Sequence, residues 1–385
     1  MPGFELIGKE EFKEIQNLFN DSGILFRHGF DALRNNIYKV RDFEKSFATR
    51  MGVSDALAVS SGTAALKVAL KALGIGPGDE VITQAFTFVA TVEAIVEVGA
   101  KPVIANIDES LNINPKDLSR KISAKTKAII AVHMLGIPCE MDSIMKIAKK
   151  NRIKVIEDTA WGCGGKYKGM PLGSIGDIGT FSFDFAKTIT TGEGGMIIAK
   201  DNKLLELAKA YHDHGHENNP KLPRWEDSRS SSGFNYRMTE MQGAVGLAQL
   251  KKLDEVIKSH QKHKKAIEDQ IENLPISFRK KPIEFLDTSD ALIFFVKDKS
   301  TALKCRESLI TNGISTKILP EAYTWHFAAT WEHITEMYED WGKFTENLNP
   351  SKEIIEKAVS LPITINFNKE STLKIYNSIK NVFKI

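Results

Sequence analysis

Between residues 55 and 200, short apolar runs rich in Val and Ile alternate with stretches of helical periodicity. That alternation limits the fold more than any other feature of the chain. The runs that read as strands are Ala56–Val59, Glu80–Thr83, Pro102–Asn106, Ala128–Val132, Lys154–Glu157, Asp177–Phe183 and Gly195–Ala199. Between the earlier ones, SGTAALKVALKAL carries its apolar side chains on one face, and SIMKIAKKNR precedes a strand. The pattern predicts an α/β fold: a mostly parallel seven-stranded sheet, covered on both faces and joined by right-handed crossovers. Ligands of such sheets bind beyond the carboxyl ends of the strands. Four of those ends are chemically loaded: Ser60-Ser61-Gly62-Thr63, Gln84-Ala85-Phe86-Thr87-Phe88, Asp158-Thr159-Ala160-Trp161 and Asp184-Phe185-Ala186-Lys187. They are expected to meet in one crevice.

The flanking regions read differently. Residues 5–50 suggest helices and loops, with DFEKSFATRMG as an amphipathic helix. Residues 201–260 read as helical, broken by a polar loop from His212 to Gly233 that contains Pro220 and Pro223. Beyond 260, DALIFFVK reads as a strand, STALKCRESLITNG as a helix ending at Gly313, ISTKIL as another strand, and Ser371–Phe383 as a closing helix. The expected division is an N-terminal segment with a large α/β domain over 1–255, and a small α+β domain over 256–385. A chain of 385 residues is long enough for both.

A formal net charge of +3 gives no reason to expect nucleic acid or a membrane surface as partner. Local basic runs such as Lys262–Lys265 and Arg279–Lys281 read as solvated faces. No stretch is apolar for long enough to span a bilayer, and the start, MPGFELIGKEEFKEIQ, lacks a signal-peptide core. Cys139, Cys163 and Cys305 stand far apart in no ligand or disulfide pattern, which suits a reducing cytoplasm.

Several residues at the strand ends carry chemistry. Gly62, between Ser61 and Thr63, permits a tight turn into a helix whose N-terminal amides and dipole suit a phosphate. The plainer reading is a capped strand-to-helix turn. Asp158 ends an apolar strand, where it could pair with a protonated ring nitrogen or cap the next turn. Glu157, its neighbour, should face the other side of the sheet. Lys187 lies between a strand and the glycine turn of Gly192, Gly194 and Gly195, a poor place for a solvated side chain. An amine there can form a Schiff base with an aldehyde cofactor. Ser182 can add a hydroxyl to the same phosphate. In HDHGHENNP, His212, His214 and His216 would share one face of a strand and suggest a metal. The segment reads as a loop without an acidic partner at metal spacing, so no metal is expected. An interface loop, or a substrate contact from His214 or His216, fits it better.

SGTAAL, AFTFVAT, VIEDTA, GDIGTFSFDFAKTITTGEGG and GFNYRMTEMQGAVGLAQL, in that order over roughly Ser60 to Leu250, resemble the DegT/DnrJ/EryC1/StrS sugar aminotransferases. The resemblance implies the fold-type-I architecture of pyridoxal 5'-phosphate (PLP) enzymes. It also implies a homodimer with shared active sites, and glutamate as amino donor to a keto sugar. By the same resemblance, Lys187 holds the cofactor and moves the proton, Asp158 faces the pyridine nitrogen, and Gly62, Thr63 and Ser182 contact the phosphate. Phe88 stacks on the ring, and Asn235 reaches the phosphate of the neighbouring subunit. The group commonly has Gln or His where Trp161 stands, in contact with the ring hydroxyl. An indole donates one hydrogen bond and accepts none, so that contact changes or passes to another group. His326, in the Tyr323–Phe327 stretch, falls where the group places substrate contacts, and Arg224, Arg229 and Arg237 are available for an anionic part of the substrate.

EDTAWGCGG, HGHENNP and the Trp325-His326-Phe327 segment are more similar to the branch that aminates C8 of 3-deoxy-octulosonate, a step toward 8-amino-Kdo of bacterial lipopolysaccharide. The competing substrate is a nucleotide-linked 4-keto-6-deoxy sugar, as in perosamine synthesis. Sister dehydratases of the group replace the cofactor lysine, usually with His, so Lys187 speaks against that activity. The absence of GxGxxG after the first strand speaks against a nicotinamide oxidoreductase.

Overall fold

The computed structural model describes residues 3–219, 221–229 and 231–383. Pro220, noted above in the polar loop, lies outside them. Seven strands form the main sheet: β1 (Leu57–Val59), β2 (Glu80–Gln84), β3 (Lys101–Ala105), β4 (Thr126–Val132), β5 (Lys154–Asp158), β6 (Ile178–Ser182) and β7 (Gly195–Ala199). Their order is β1-β7-β6-β5-β4-β2-β3. Pairing from β6 through β3 is parallel, and β7 runs against both its neighbours. The expected mostly parallel sheet is therefore observed, with strand ends within a few residues of those read from the sequence.

Residue parity along the strands assigns the two faces. Val59, Ile130, Ile156 and Ile197 join one core with α3 (Gly62–Ala72), α4 (Ala90–Glu97) and α7 (Asn202–His212). Their neighbours turn the other way. Ile129, Ala131 and Val155 pack with α6 (Met141–Asn151), whereas Ala58, Phe181, Met196 and Ile198 pack with α2 (Lys39–Met51) and α8 (Glu240–Ile271). The glycines of the MTEMQGAVGLAQL run have a packing cause. A Cβ on Gly243 would stand 2.6 Å from the backbone nitrogen of Val40, and one on Gly246 2.6 Å from the Phe43 ring. They let α8 lie directly against α2.

Helix α8 starts at a capping box, with Thr239 and Gln242 satisfying each other's amides, and continues for 32 residues. It therefore passes without a break through position 255. Its distal residues Ile267 and Ile271 belong to a separate core with Leu292, Phe294, Leu309, Leu361, Ile375 and Ile379. That core joins an antiparallel sheet of β8 (Ser277–Phe278), β9 (Ala291–Phe295) and β10 (Ala358–Pro362) to α9 (Lys299–Thr311) and the final helix Lys369–Phe383. The ISTKIL segment corrects its reading. It is not a strand but a turn, in which the Leu319 N–H donates to the Lys317 carbonyl at 2.8 Å and Ile318 has φ +70°. Alternating apolar residues suggested a strand, but Lys317 and Leu319 spend their backbone groups on β10 and on each other.

The carboxyl end of β5 is anchored by Glu157. Its carboxylate accepts from His133 Nε2 at 2.9 Å and from the amides of Gly173, Ile175 and Gly176 at 2.6–2.9 Å. The Cys139 amide donates to His133 Nδ1 at 3.1 Å, which leaves the proton on the nitrogen facing Glu157. Burial pushes this carboxyl up, but His133 and the amides outweigh it and hold it below the ordinary value of 4.5. A depressed folded value contributes stability above the unfolded value, and that stability is lost as pH falls through the folded one. Glu157→Ala strands four buried donors and should cost about 3–5 kcal/mol in urea unfolding at pH 7. The gap between wild type and variant should narrow in acid below the ordinary glutamate range.

Candidate active site

The strand ends enclose a cavity of about 420 Å3 whose lining includes Ser61, Gly62, Thr63, Thr87, Phe88, Thr91, Asp158, Trp161, Ser182, Asp184, Lys187, Glu193, Ile318 and His326. Of the residues singled out in the sequence, Gly62, Thr63, Phe88, Asp158, Trp161, Ser182, Lys187 and His326 are thus brought together.

Each side chain is positioned by its element. Ser61 caps α3 by accepting from the Ala64 amide at 3.0 Å, so the first turn of the helix points at the cavity. Gly62 passes so close to β6 that a Cβ would stand 2.7 Å from that of Ser182. Gly195 is equally constrained, with Ser61 O 2.4 Å from where its Cβ would be. Asp158 is buried, with Oδ2 accepting from Thr91 Oγ1 at 3.0 Å and Oδ1 from the Ala160 amide at 3.1 Å. Burial raises its pKa, opposed by those two neutral donors and by the charge of Lys187. Thr91 escaped the sequence reading. The signal was available, since it sits in the first turn of the helix that follows AFTF and so faces the crevice.

Lys187 follows a turn in which its amide donates to the Asp184 carbonyl at 3.1 Å. Its ammonium lies 3.5 Å from the centroid of the Trp161 ring, a cation–π contact. Burial pulls this amine down to about 8. Asp184 and Asp158 work against the shift, and Lys317 adds to it.

The opposite wall comes from the C-terminal part of the chain. The Thr87 and Val89 amides donate to the carbonyls of His326 and Trp325 at 3.0 Å each, and the Ala328 amide donates to Ala85 O at 3.0 Å. This stitches residues 325–328 along the end of β2. Phe88 stacks on Trp325, with centroids 6.0 Å apart and planes 13° from parallel, and lies 5.4 Å from the His326 ring. His326 Nδ1 is 2.9 Å from the Ala322 carbonyl, and burial, with Lys187 nearby, lowers its pKa to about 4. Ile318 completes the wall from its left-handed turn, a conformation that costs a β-branched residue about 1–3 kcal/mol.

Asn235, His214, His216 and Arg237 do not line this cavity. Asn235 is exposed, its Oδ1 accepting from the Arg237 amide at 3.3 Å. Arg237 Nη1 donates to Asp213 at 2.6 Å, and Arg224 grips the same carboxylate at 2.7 Å. Burial pushes Asp213 up, but His28 and Arg224 hold it far below the carboxylate range. Two of the three arginines considered for substrate are thereby engaged elsewhere. The histidines of HDHGH diverge: His212 is buried with Nδ1 at the Lys209 carbonyl, His214 is exposed with φ +56°, and His216 pairs with Asp227 at 3.1 Å.

A lysine, an acid and a helix N-terminus in one cavity at the strand ends match a known arrangement. The profile of the DegT/DnrJ/EryC1/StrS aminotransferase family matches residues 31–380. The chain belongs to that family. It is 41% identical over 262 residues to the spore coat polysaccharide biosynthesis protein SpsC of Bacillus subtilis (strain 168), covering 66% of this chain and 64% of that protein. With the GDP-perosamine synthase of Escherichia coli O157:H7 it shares 45% identity over 219 residues, 57% of this chain and 59% of that one. Each match therefore spans less than two thirds of the relative. Among solved structures, an aminotransferase from Psychrobacter cryohalolentis superposes with a TM-score of 0.86 at 28% identity, covering 99% of this chain and 98% of that one. No helix of the described residues is long and apolar enough to cross a membrane.

The depressed amine gives a direct test. Acetylation of Lys187 in protein freed of small molecules, followed by peptide mass spectrometry, should rise with a midpoint near pH 8. Exposed lysines should label with a midpoint near the ordinary value of about 10.4.

Proposed function

We propose that this chain is a PLP-dependent aminotransferase that moves an amino group from glutamate to a keto or aldehyde sugar. One observation carries the reading: a buried amine, Lys187, and a buried carboxylate, Asp158, line the same cavity as the N-terminus of α3. The donor set fits the cofactor. The α3 amides, the Thr63 and Ser182 hydroxyls and the close approach at Gly62 suit its phosphate. Phe88 and Trp161 suit an aromatic ring. Asp158, whose hydrogen-bond donors are both neutral, suits a protonated ring nitrogen.

When bound, PLP would supply an aldehyde that condenses with amines and a protonated ring that withdraws electrons from the carbon losing its proton. Lys187 would hold the cofactor through its aldehyde and, as a free amine, move the proton at the donor's α-carbon. Burial that leaves its amine near pH 8 favours both roles at neutral pH. Thr91 donates to the Asp158 carboxylate and so holds the acid that would pair with the ring nitrogen. His326, with its pKa lowered to about 4 and its Nδ1–H donated to the Ala322 carbonyl, would remain neutral and accept a hydrogen bond from a sugar hydroxyl at Nε2.

For the sugar we favour the free octulosonate, 8-oxo-3-deoxy-manno-octulosonate, giving 8-amino-Kdo for lipopolysaccharide. The support is the EDTAWGCGG, HGHENNP and Trp325-His326-Phe327 segments. A second reading, a nucleotide-linked 4-keto-6-deoxy sugar of the perosamine type, is favoured by the likeness to GDP-perosamine synthase. A sister dehydratase activity is disfavoured by Lys187. The exposed side chains of Phe26, Phe30, Leu33, Trp225 and Phe234 support a homodimer. In it, Asn235, His214, His216 or the remaining Arg229 of one subunit would approach the site of the other. We also propose a soluble cytoplasmic enzyme of two units, 1–255 and 256–385. The separate core around Phe294 and Leu361 supports the second.

Glutamate should bleach the visible band of PLP-loaded protein as the cofactor passes to its amine form. Lys187→Ala should abolish this change and the borohydride-fixed cofactor, and turnover surviving in Lys187→Ala would defeat the proposal. Among keto sugars tested with glutamate, the free octulosonate should turn over at least tenfold faster than a GDP-linked 4-keto-6-deoxy sugar, and the opposite order selects the second reading. Mixing Lys187→Ala subunits with Asn235→Ala subunits should recover activity that neither homodimer has. No recovery would count against sites shared between subunits.

A further inference from the structure

Beneath the cavity lies a second buried lysine that the chemistry above does not use. Lys317 is 6% exposed, and its ammonium donates to Asp290 Oδ2 at 2.6 Å and to the Asp290 carbonyl at 3.2 Å. Asp290 is itself fully buried. The same Lys317 ammonium stands 4.8 Å from the centroid of the Trp161 ring, the indole that Lys187 approaches at 3.5 Å. Thr288 closes the arrangement, with its hydroxyl 3.2 Å from both the Trp161 carbonyl and Asp290 Oδ1. Two ammonium groups therefore share one indole, one of them free to react and the other locked to a carboxylate.

The lock is built into the backbone. The Lys317 amide donates to Ser360 O at 2.7 Å, and the Ser360 amide donates to Leu319 O at 3.1 Å, which ties the turn to β10. The left-handed Ile318 between them sends Lys317 toward Asp290 while Ile318 itself faces the cavity. A surface ion pair would need none of this.

We propose that Lys317, with Asp290 as its counter-ion, is a positioning residue for the Lys187 amine: it holds the Trp161 indole from the side of the C-terminal unit and sets the electrostatic field in which that amine reacts. The pair deepens the reading of Lys187 as the reactive amine and rests on it. The charges facing Lys187 come from several elements: Asp184 on its own turn, Asp158 at the end of β5, and Lys317 and Asp290 from the C-terminal unit. Glu193 also lines the cavity, and His326 closes its far wall. Lys317 and Asp290 oppose each other in sign at the amine, and this makes the proposal separable from simple structural support.

The test is the pH midpoint of Lys187 acetylation in protein freed of small molecules, read by peptide mass spectrometry and so independent of turnover. Lys317→Met removes a cation and leaves Asp290, so the midpoint should rise, and labelling at pH 7 should fall at least threefold. Asp290→Asn removes the anion and leaves Lys317, so the midpoint should fall and labelling at pH 7 should increase. Lys317→Arg, which keeps the charge, should restore the wild-type midpoint. Opposite shifts in the first two variants support the proposal. Shifts in the same direction, or an unmoved midpoint in either, overturn it. Should Lys317→Met not fold, Asp290→Asn decides alone: a lower midpoint supports the proposal, and an unchanged or higher one overturns it. Failure here with glutamate still bleaching the cofactor band would remove Lys317's role and leave the aminotransferase reading standing. Labelling shifts as expected with no response to glutamate would do the reverse.

Discussion

Two adjacent acids at the end of β5 carry opposite duties, and the site depends on their separation. Strand geometry sends Glu157 to one face and Asp158 to the other. Glu157 is surrounded by His133 and three amides, which makes the strand end rigid. Asp158 is buried among neutral donors only, and it keeps an unspent electrostatic demand directed into the cavity. The first acid holds the strand end, and Thr91 with the Ala160 amide then fixes the direction of the second. Without the second, the cavity would keep its lysine and its hydroxyls but lose the carboxylate at the end of β5.

The remaining walls are recruited from distant parts of the chain by backbone hydrogen bonds, joined by the Phe88–Trp325 stack and the Lys317–Asp290 pair. Residues 325–328 lie along the end of β2, and the turn at 317–319 is tied to β10. The C-terminal part of the chain thus delivers His326 and Ile318 to the cavity wall and Lys317 to the Trp161 ring. Helix α8 contributes Leu253 and Ile257 to the core against α2, and Ile267 and Ile271 to the separate core around Phe294 and Leu361.

Much of this was legible in the residues. Strand–helix alternation marked the sheet, and the rule for ligand position at strand ends singled out Gly62, Asp158 and Lys187 before any coordinates. The opposed directions of Glu157 and Asp158 followed from a period of two. Less legible were contacts that depend on which segments meet. ISTKIL alternates like a strand, yet its backbone groups are drawn into a tight turn, and nothing local marks Ile318 as left-handed. Arg224 and Arg237 looked free for a substrate because their partner, Asp213, becomes a partner only when the polar loop folds back on itself. HDHGH reads as a loop, but nothing local shows that His212 closes α7 while His216 turns to Asp227.

Local sequence by itself determined the sheet, the capped start of α3, and the identity of the buried acid and amine. These rest on periodicity and on side-chain direction within single elements, which neighbouring residues dictate. Tertiary structure alone decided that two lysines would approach the Trp161 ring, that Thr91 would hold Asp158, and that a strained turn 160 residues from β5 would close the cavity. Those outcomes depend on packing between elements far apart in the chain, where the free energy belongs to the contact and to no single segment.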